Sequence, residues 1–163
     1  MKKAVLVCGP AGIGKSTYSK NYALSHPEEK VYVIAADECR YEICGAYDKF
    51  PAGGNMLPVY NLMIEKAKKH AEEEGDVTVI FDTTSLTDKR RVFYRDRLDG
   101  IFDRFELTML RLHDYSLCLS RNKQRPKDRQ VPPTVITDMI AHYDEPTEET
   151  LARFDAKYDV YLD

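Results

Sequence analysis

Short apolar runs alternate with amphipathic segments along the chain. Apolar runs predict strands at residues 3–8, 31–34, 77–81 and 105–112, of which the first has the pattern of a buried parallel strand, and a fifth strand is predicted at 158–162. Apolar spacing predicts helices at residues 16–24, 38–44, 59–73, 86–98, 114–124, 134–143 and 148–154. Residues 45–58, with two prolines and three glycines, predict a loop. Strands that alternate with helices predict an α/β fold. We expect a three-layer α/β/α arrangement in which the central layer is a parallel sheet of four to five strands.

Length and composition narrow the class of protein. The 163 residues fit a single domain over 1–163, and 43% hydrophobic with 31% charged residues is typical of a globular protein. The net charge of −3 argues against a general nucleic-acid coat but permits a local basic groove. Because the four cysteines form no C-x-x-C pair, we interpret them as buried side chains in a reducing compartment. We expect a cytoplasmic protein with no membrane segment and leave its oligomeric state open.

The strongest motif follows the first predicted strand. It has the spacing G-x-x-x-x-G-K-[ST] and opens the first predicted helix. Its glycines let the backbone wrap with N–H groups pointing inward, and the helix N-terminus adds partial positive charge, so the loop favours a polyphosphate. We predict that Lys15 reaches the β- and γ-phosphates and that Ser16 binds Mg²⁺. The predicted nucleotide-binding loop residues are Gly9, Ala11, Gly12, Ile13, Gly14, Lys15, Ser16 and Thr17, with ATP and Mg²⁺ as expected ligands.

Polar residues follow the other predicted strands. In a parallel sheet, ligands bind at the carboxyl ends of the strands, so we expect Asp37, Asp82 and His113-Asp114 to gather beside the phosphate loop. Asp82 is in the right place for a carboxylate that binds Mg²⁺ directly or through water, and we prefer this role to helix capping or turn formation.

Asp37 and Arg40 are three residues apart at the start of a predicted helix, so they share a face. One hypothesis gives Asp37 the role of proton acceptor and Arg40 that of a phosphate contact. The other makes Asp37 a helix cap and Arg40 a surface cation. The spacing alone does not separate these two hypotheses.

Two basic groups and three tyrosines complete the candidates. Arg121 and Arg125 begin a basic run after the fourth strand, which we interpret as a lid over the phosphates rather than a solvated surface. For the second group, Lys89-Arg90-Arg91 with Arg95, solvent exposure is slightly favoured over an acceptor groove. Three aromatic side chains have a spacing that fits base stacking, although a core role is more common: Tyr41, Tyr47 and Tyr60.

In order and spacing, these motifs resemble the 5′-kinase domain of phage T4-type polynucleotide kinase. The resemblance rests on the phosphate loop, Asp37-x-x-Arg40, the segment Ile80-Phe81-Asp82-Thr83-Thr84-x-Leu86 with Arg90-Arg91 downstream, and Arg121-Asn122-x-x-Arg125 followed by Val131-Pro132. It implies a P-loop kinase fold with a helical lid. It also implies that Asp37 is the general base, that Arg40 and Asp82 serve the acceptor site, and that Arg125 acts on the donor phosphates with Arg121 near it.

The sequence departs from the phage pattern in two respects. Ala36 stands where a basic residue is expected, and no D-x-D-G-T motif of the 3′-phosphatase is present. We therefore expect ATP-dependent phosphorylation of a 5′-hydroxyl nucleic acid end, with Lys15, Asp37 and Arg125 as catalytic residues. The alternatives are a nucleoside, sugar or zeta-toxin-like sugar-nucleotide kinase, or a non-kinase nucleotide-binding module. A GTPase is disfavoured because no N-K-x-D motif occurs.

Overall fold

Five parallel strands form the centre of the computed structural model, which describes residues 1–163. The strands are β1 (Lys2–Cys8), β2 (Lys30–Ala35), β3 (Val77–Asp82), β4 (Arg104–Arg111) and β5 (Ala156–Tyr161). They pair in the order β2-β3-β1-β4-β5, and all four pairings are parallel. The predicted α/β class with a central parallel sheet is confirmed, and the number of strands is five.

Burial within the sheet follows strand order. The central strand β1 is buried from Ala4 to Cys8, and all six residues of β3 are buried. The edge strands β2 and β5 each expose part of their length. Val7 pairs with Asp82 on one side, and Cys8 pairs with Met109 on the other. The carboxyl ends of the three inner strands therefore lie at one level, which is where the phosphate loop begins.

Helices cover both faces of the sheet. They are α1 (Lys15–Ser25), α2 (Ala36–Cys44), α3 (Leu57–Ala71), α4 (Asp88–Arg97), α5 (Leu117–Lys123), α6 (Pro133–Ala141) and α7 (Glu148–Leu151). The larger core cluster joins one sheet face to α2, α3 and α4, and the smaller cluster joins the other face to α1, α5 and α6. None of these helices combines the length and the apolar character needed to cross a membrane. The layers hold the strand ends in place around the candidate site.

Several predicted boundaries were wrong by two or three residues; for example, the helix predicted at 148–154 ends at Leu151, and the strand predicted at 158–162 begins at Ala156. The predicted helix at 114–124 begins only at Leu117, because the backbone N–H of Ser116 donates to the carboxylate of Asp114 at 3.0 Å and forms a turn first. The predicted loop at 45–58 contains a 3₁₀ turn at Ala52–Gly54 and ends early, since α3 starts at Leu57. Pro58 lies in the first helical turn, where its missing N–H costs no intrahelical hydrogen bond.

Candidate nucleotide and acceptor site

The phosphate loop connects β1 to α1 and depends on two glycines with positive φ. Gly12 has φ of 83° and Gly14, the N-cap of α1, has φ of 112°. A Cβ at Gly12 would lie only 2.3 Å from the carbonyl oxygen of Cys118, so no larger residue fits there without a backbone shift. The N–H of Gly9 donates to the carbonyl of Thr84 at 2.9 Å, which ties the loop to the segment after β3. The backbone of this loop therefore forms a cradle that is suited to an anion.

Lys15 is the first residue of α1 and bends back over the loop. Its Nζ donates to the carbonyl oxygens of Gly9 at 3.0 Å and Pro10 at 2.9 Å. Burial lowers the pKa of Lys15, while the carboxylates of Asp82 and Asp37 act in the opposite direction. The ammonium group is therefore already at the mouth of the loop and has two carboxylates near it.

Ser16 and Asp82 form the second contact of the loop. The Oγ of Ser16 donates to Oδ2 of Asp82 at 2.8 Å, and Asp82 ends β3 with 7% of its surface exposed. Burial raises the pKa of Asp82, against the opposing influence of Lys15 and of the Ser16 hydroxyl. A hydroxyl and a carboxylate are oxygen ligands that suit Mg²⁺. Because the structure has no cluster of three His, Cys, Asp or Glu side chains for a metal, the remaining ligands would have to be phosphates and water.

Asp37 is the second residue of α2, and its carboxylate lies between two arginines. Oδ1 is 3.1 Å from Nη1 of Arg40, and Oδ2 is 3.0 Å from Nη2 of Arg125. Burial alone would raise the pKa of Asp37, but these guanidinium groups outweigh it and hold the pKa below its usual value. The N-cap of α2 is Ala35, so the hypothesis that Asp37 caps this helix was wrong. The hypothesis of a surface cation was also wrong for Arg40, whose side chain is only 12% exposed.

Arg125 comes from the turn that follows α5 and reaches a residue 88 positions earlier in the chain. Four residues further on, Nη2 of Arg129 is 3.5 Å from Oε1 of Glu38, the neighbour of Asp37. The predicted lid segment thus contacts the start of α2 through two ion pairs. These contacts bring the basic run to the same edge of the sheet as Lys15 and Asp82, although its action on a nucleotide stays a prediction.

Arg121 occupies the outer side of the phosphate loop. Its Nη1 donates to the carbonyl of Ile13 at 2.8 Å, and its Nη2 donates to the carbonyl of Leu162 at 2.9 Å. A pocket of about 330 Å³ opens beside it. The pocket is lined by Gly14, Thr17, Tyr18, Asn21, Arg121 and Leu162. Sequence reasoning did not identify Tyr18, Asn21 or Leu162, although Leu162 directly follows β5 and the strand-end rule applies to it as well.

The second basic group, on α4, does not form a solvated surface. Arg91 is fully buried, and it donates to the carbonyls of Ser85, Leu86 and Asp144 and to the carboxylate of Asp88. Three neighbouring basic side chains differ: Lys89 is exposed, Arg90 stacks on the rings of Tyr60 and Phe93, and Arg95 stacks on the ring of Phe105. The prediction of solvent exposure was wrong for Arg91, because a tertiary hydrogen-bond network replaces water around it.

Comparisons with known proteins agree with this fold. A family model described as an AAA domain, AAA_33, matches residues 5–146. Solved structures that resemble the chain include a gluconokinase from Sinorhizobium meliloti 1021, with 16% identity over 98% of this chain and 82% of that chain and a TM-score of 0.64. Kti12 from Chaetomium thermophilum in complex with ADP-AlF3 has 12% identity over 98% of this chain and 89% of that chain, with a TM-score of 0.70.

A fungal RNA kinase has 14% identity over all of this chain and 40% of that chain, with a TM-score of 0.65. Identities this low show a shared fold and do not identify a substrate. The search of curated proteins gave no significant match.

Proposed function

The chain belongs to the AAA domain family AAA_33, and from this premise we propose that it is an ATP-dependent kinase for the 5′-hydroxyl end of a nucleic acid. Its fold is that of a nucleotide-binding, P-loop kinase-like domain. The observation that carries the proposal is the position of Asp37. One of its carboxylate oxygens pairs with Arg125, to which we assign the donor phosphates, and the other with Arg40, to which we assign the acceptor.

Each residue has a defined role in the proposed reaction. Lys15 and the loop N–H groups hold the β- and γ-phosphates, and the pocket beside Arg121 receives the rest of the nucleotide. A Mg²⁺ ion between Ser16, Asp82 and the phosphates would neutralise charge there. The acceptor oxygen forms a bond to the γ-phosphorus as the bond to the β-phosphate oxygen breaks, and Asp37 takes the acceptor proton.

Arg125 connects the two halves of the site. When its guanidinium moves from Asp37 to the transferring phosphoryl group, it stabilises the charge that spreads over the equatorial oxygens. The same movement frees Oδ2 of Asp37 and removes a cation that lowers the pKa of Asp37. The base would therefore become stronger only when donor phosphates are present.

The choice of acceptor is supported by the order of the motifs. Asp37-x-x-Arg40, Asp82 and Arg121-x-x-x-Arg125 have the arrangement that resembles the phage 5′-kinase domain. Arg40 stands beside the proposed base and suits a phosphate on the 3′ side of the first nucleotide, because a guanidinium binds phosphate in a bidentate geometry. A sugar or nucleoside acceptor would offer Arg40 no such group.

The test is transfer of labelled γ-phosphate from ATP to a 5′-hydroxyl oligonucleotide, beside a panel of nucleosides and sugars. Lys15→Ala serves as the donor-site control, since it removes a fixed charge from the phosphates and should abolish transfer to every acceptor. We expect the oligonucleotide to be the best acceptor. Preferred transfer to a sugar or nucleoside would replace the proposal with a small-molecule kinase, and no transfer to any acceptor would leave a nucleotide-binding module.

A further inference from the structure

The surface next to Asp37 exposes an unusual concentration of apolar side chains. Of the ten large hydrophobic side chains that are exposed in the whole protein, four lie between residues 41 and 57. They are Tyr41 at 45% exposure, Ile43 at 43%, Phe50 at 59% and Leu57 at 42%. Exposed apolar groups that cluster beside a candidate site point to a ligand rather than to chance.

Three aromatic rings within this region are interleaved with arginines, and we call them the aromatic platform: Tyr41, Tyr47 and Phe50. The centroids of the rings of Tyr41 and Tyr47 are 4.7 Å apart, and the guanidinium carbon of Arg129 lies 4.2 Å from the centroid of the Tyr47 ring. The guanidinium carbon of Arg40 lies 4.6 Å from the centroid of the Phe50 ring. Flat rings and guanidinium planes are the side chains on which nucleobases stack.

Arg40 joins the platform to the proposed base. Its Nη1 is 3.1 Å from Asp37, its Nη2 donates to the carbonyl of Tyr47 at 2.7 Å, and its guanidinium carbon lies over the ring of Phe50. A single guanidinium group therefore contacts both the carboxylate of Asp37 and the ring of Phe50. An acceptor whose hydroxyl reaches Asp37 would have its next bases at the distance of the platform.

The charge on this surface is mixed. Glu38 accepts from the Tyr47 hydroxyl at 2.8 Å and pairs with Arg129, and Glu42 pairs with Lys66 at 2.5 Å, whereas the exposed Asp48 makes no ion pair. The Nε–H groups of Arg40 and Arg129 have no hydrogen-bond partner, but both are buried. Arg129, with 30% of its side chain exposed, is therefore the cation beside the rings that an anionic strand can contact.

We propose that the aromatic platform stacks the bases next to the reacting end of a single-stranded nucleic acid acceptor. This inference rests on the proposed function and deepens it, because it assigns the part of the acceptor beyond the reacting hydroxyl. A sugar has no planar face for the rings. The arginines between the rings also favour a strand that carries phosphate over an apolar protein segment.

The experiment combines platform variants with matched acceptors. The variants are Phe50→Ala, Phe50→Leu and Tyr41→Ala, and Tyr158→Ala is the control because Tyr158 is similarly exposed, at 47%, but lies on β5. The acceptors are a 5′-hydroxyl oligonucleotide and the same strand with abasic sugars at its first two positions. Each platform variant should raise KM for the normal strand about five- to a hundredfold, the usual effect of losing one stacked base, with little change in kcat.

The abasic acceptor separates stacking from other causes. The platform variants should barely change its KM, and Phe50→Leu should behave like Phe50→Ala, because bulk without a ring cannot stack. Unchanged KM for the normal strand, or equal increases in KM for both acceptors, would overturn the platform and leave the kinase proposal intact.

If the wild type phosphorylates no oligonucleotide, the proposed function fails. Fluorescence anisotropy with a labelled single strand then tests whether the platform binds nucleic acid. The platform is supported if the wild type binds the strand and Phe50→Ala weakens this binding while Tyr158→Ala does not. The platform is overturned if the wild type does not bind the strand.

Discussion

Replacing the buried Arg91 should destabilise the protein more than any change among the exposed basic residues of α4. Its Nε donates to Ser85 at 2.9 Å, and its Nη2 donates to Leu86 at 2.9 Å and Asp144 at 2.8 Å. The Arg91→Met variant keeps an unbranched side chain but removes every donor. The network also fixes the segment whose Thr84 carbonyl accepts from Gly9, so the change acts next to the phosphate loop.

The magnitude follows from which acceptors lose their only partner. Leu86 still accepts from the backbone N–H of Asp144, and Asp88 still accepts from that of Thr147. The carbonyls of Ser85 and Asp144 have no other protein donor. Ser85 is buried, whereas Asp144 lies at the surface and water can reach its carbonyl. One buried acceptor left unsatisfied costs about 1–3 kcal/mol, and we expect a loss of that size in the free energy of unfolding. The free energy that typically holds a domain together is roughly 5–15 kcal/mol.

The assay is urea denaturation followed by circular dichroism, with Lys89→Met as the matched control. Lys89 is exposed on the same helix, so its replacement should change the free energy of unfolding by less than about 0.5 kcal/mol. Arg91→Lys should fall between the two variants, because an ammonium group restores one or two donors without the planar fork. If Arg91→Met unfolds within 1 kcal/mol of the wild type, the buried network does not contribute as the geometry indicates.

Three further predictions concern the site. Asp37→Asn should lower transfer by roughly 10²–10⁴-fold in the labelled-phosphate assay, and an active variant would remove the general base. The melting temperature should fall modestly, because the ion pairs with Arg40 and Arg125 lose their negative charge. Arg125→Gln removes a cation that lowers the pKa of Asp37, so this pKa should rise and the acidic limb of the pH profile of kcat/KM should move to higher pH. If the limb does not move, Arg125 and Asp37 do not interact in the free enzyme. Gly12→Ala should reduce both thermal stability and the ATP affinity measured by calorimetry, because the added Cβ would meet the carbonyl of Cys118. Gly53→Ala is the control: its Cβ would point into open space, and ATP affinity should change little.

Local pattern was enough to predict most of the fold. The strands at the centre of the sheet have short, largely apolar runs because both of their faces are covered, and this pattern predicted β1, β3 and β4 to within a residue or two, although β4 also contains Glu106 and Thr108. Strand order could not be predicted in the same way. It depends on which strands pair across the chain, as when Lys3 pairs with both Thr78 and Arg104.

In the candidate site, too, local spacing predicts contacts between residues that are close in the chain but not contacts between distant ones. The spacing of Asp37 and Arg40 placed them on one helical face, and the structure brings their side chains together. Asp37 and Arg125 are 88 positions apart in the chain, and no local sequence pattern predicts the contact between them. Arg91 was misjudged for a related reason: a run of basic residues usually faces water, and only the surrounding carbonyls, one of them from Asp144, make burial favourable.

The central place of β1 has a consequence for how the protein is made. This strand leaves the ribosome before its two neighbours: it cannot pair with β3 until the chain has reached Asp82, or with β4 until the chain has reached Arg111. Until then, its apolar face and unpaired edges are open to other chains, the condition under which nascent proteins aggregate or recruit chaperones. The phosphate loop directly follows β1 and is tied to Thr84, so it too must assemble late. The ability to bind nucleotide would therefore report the completion of folding.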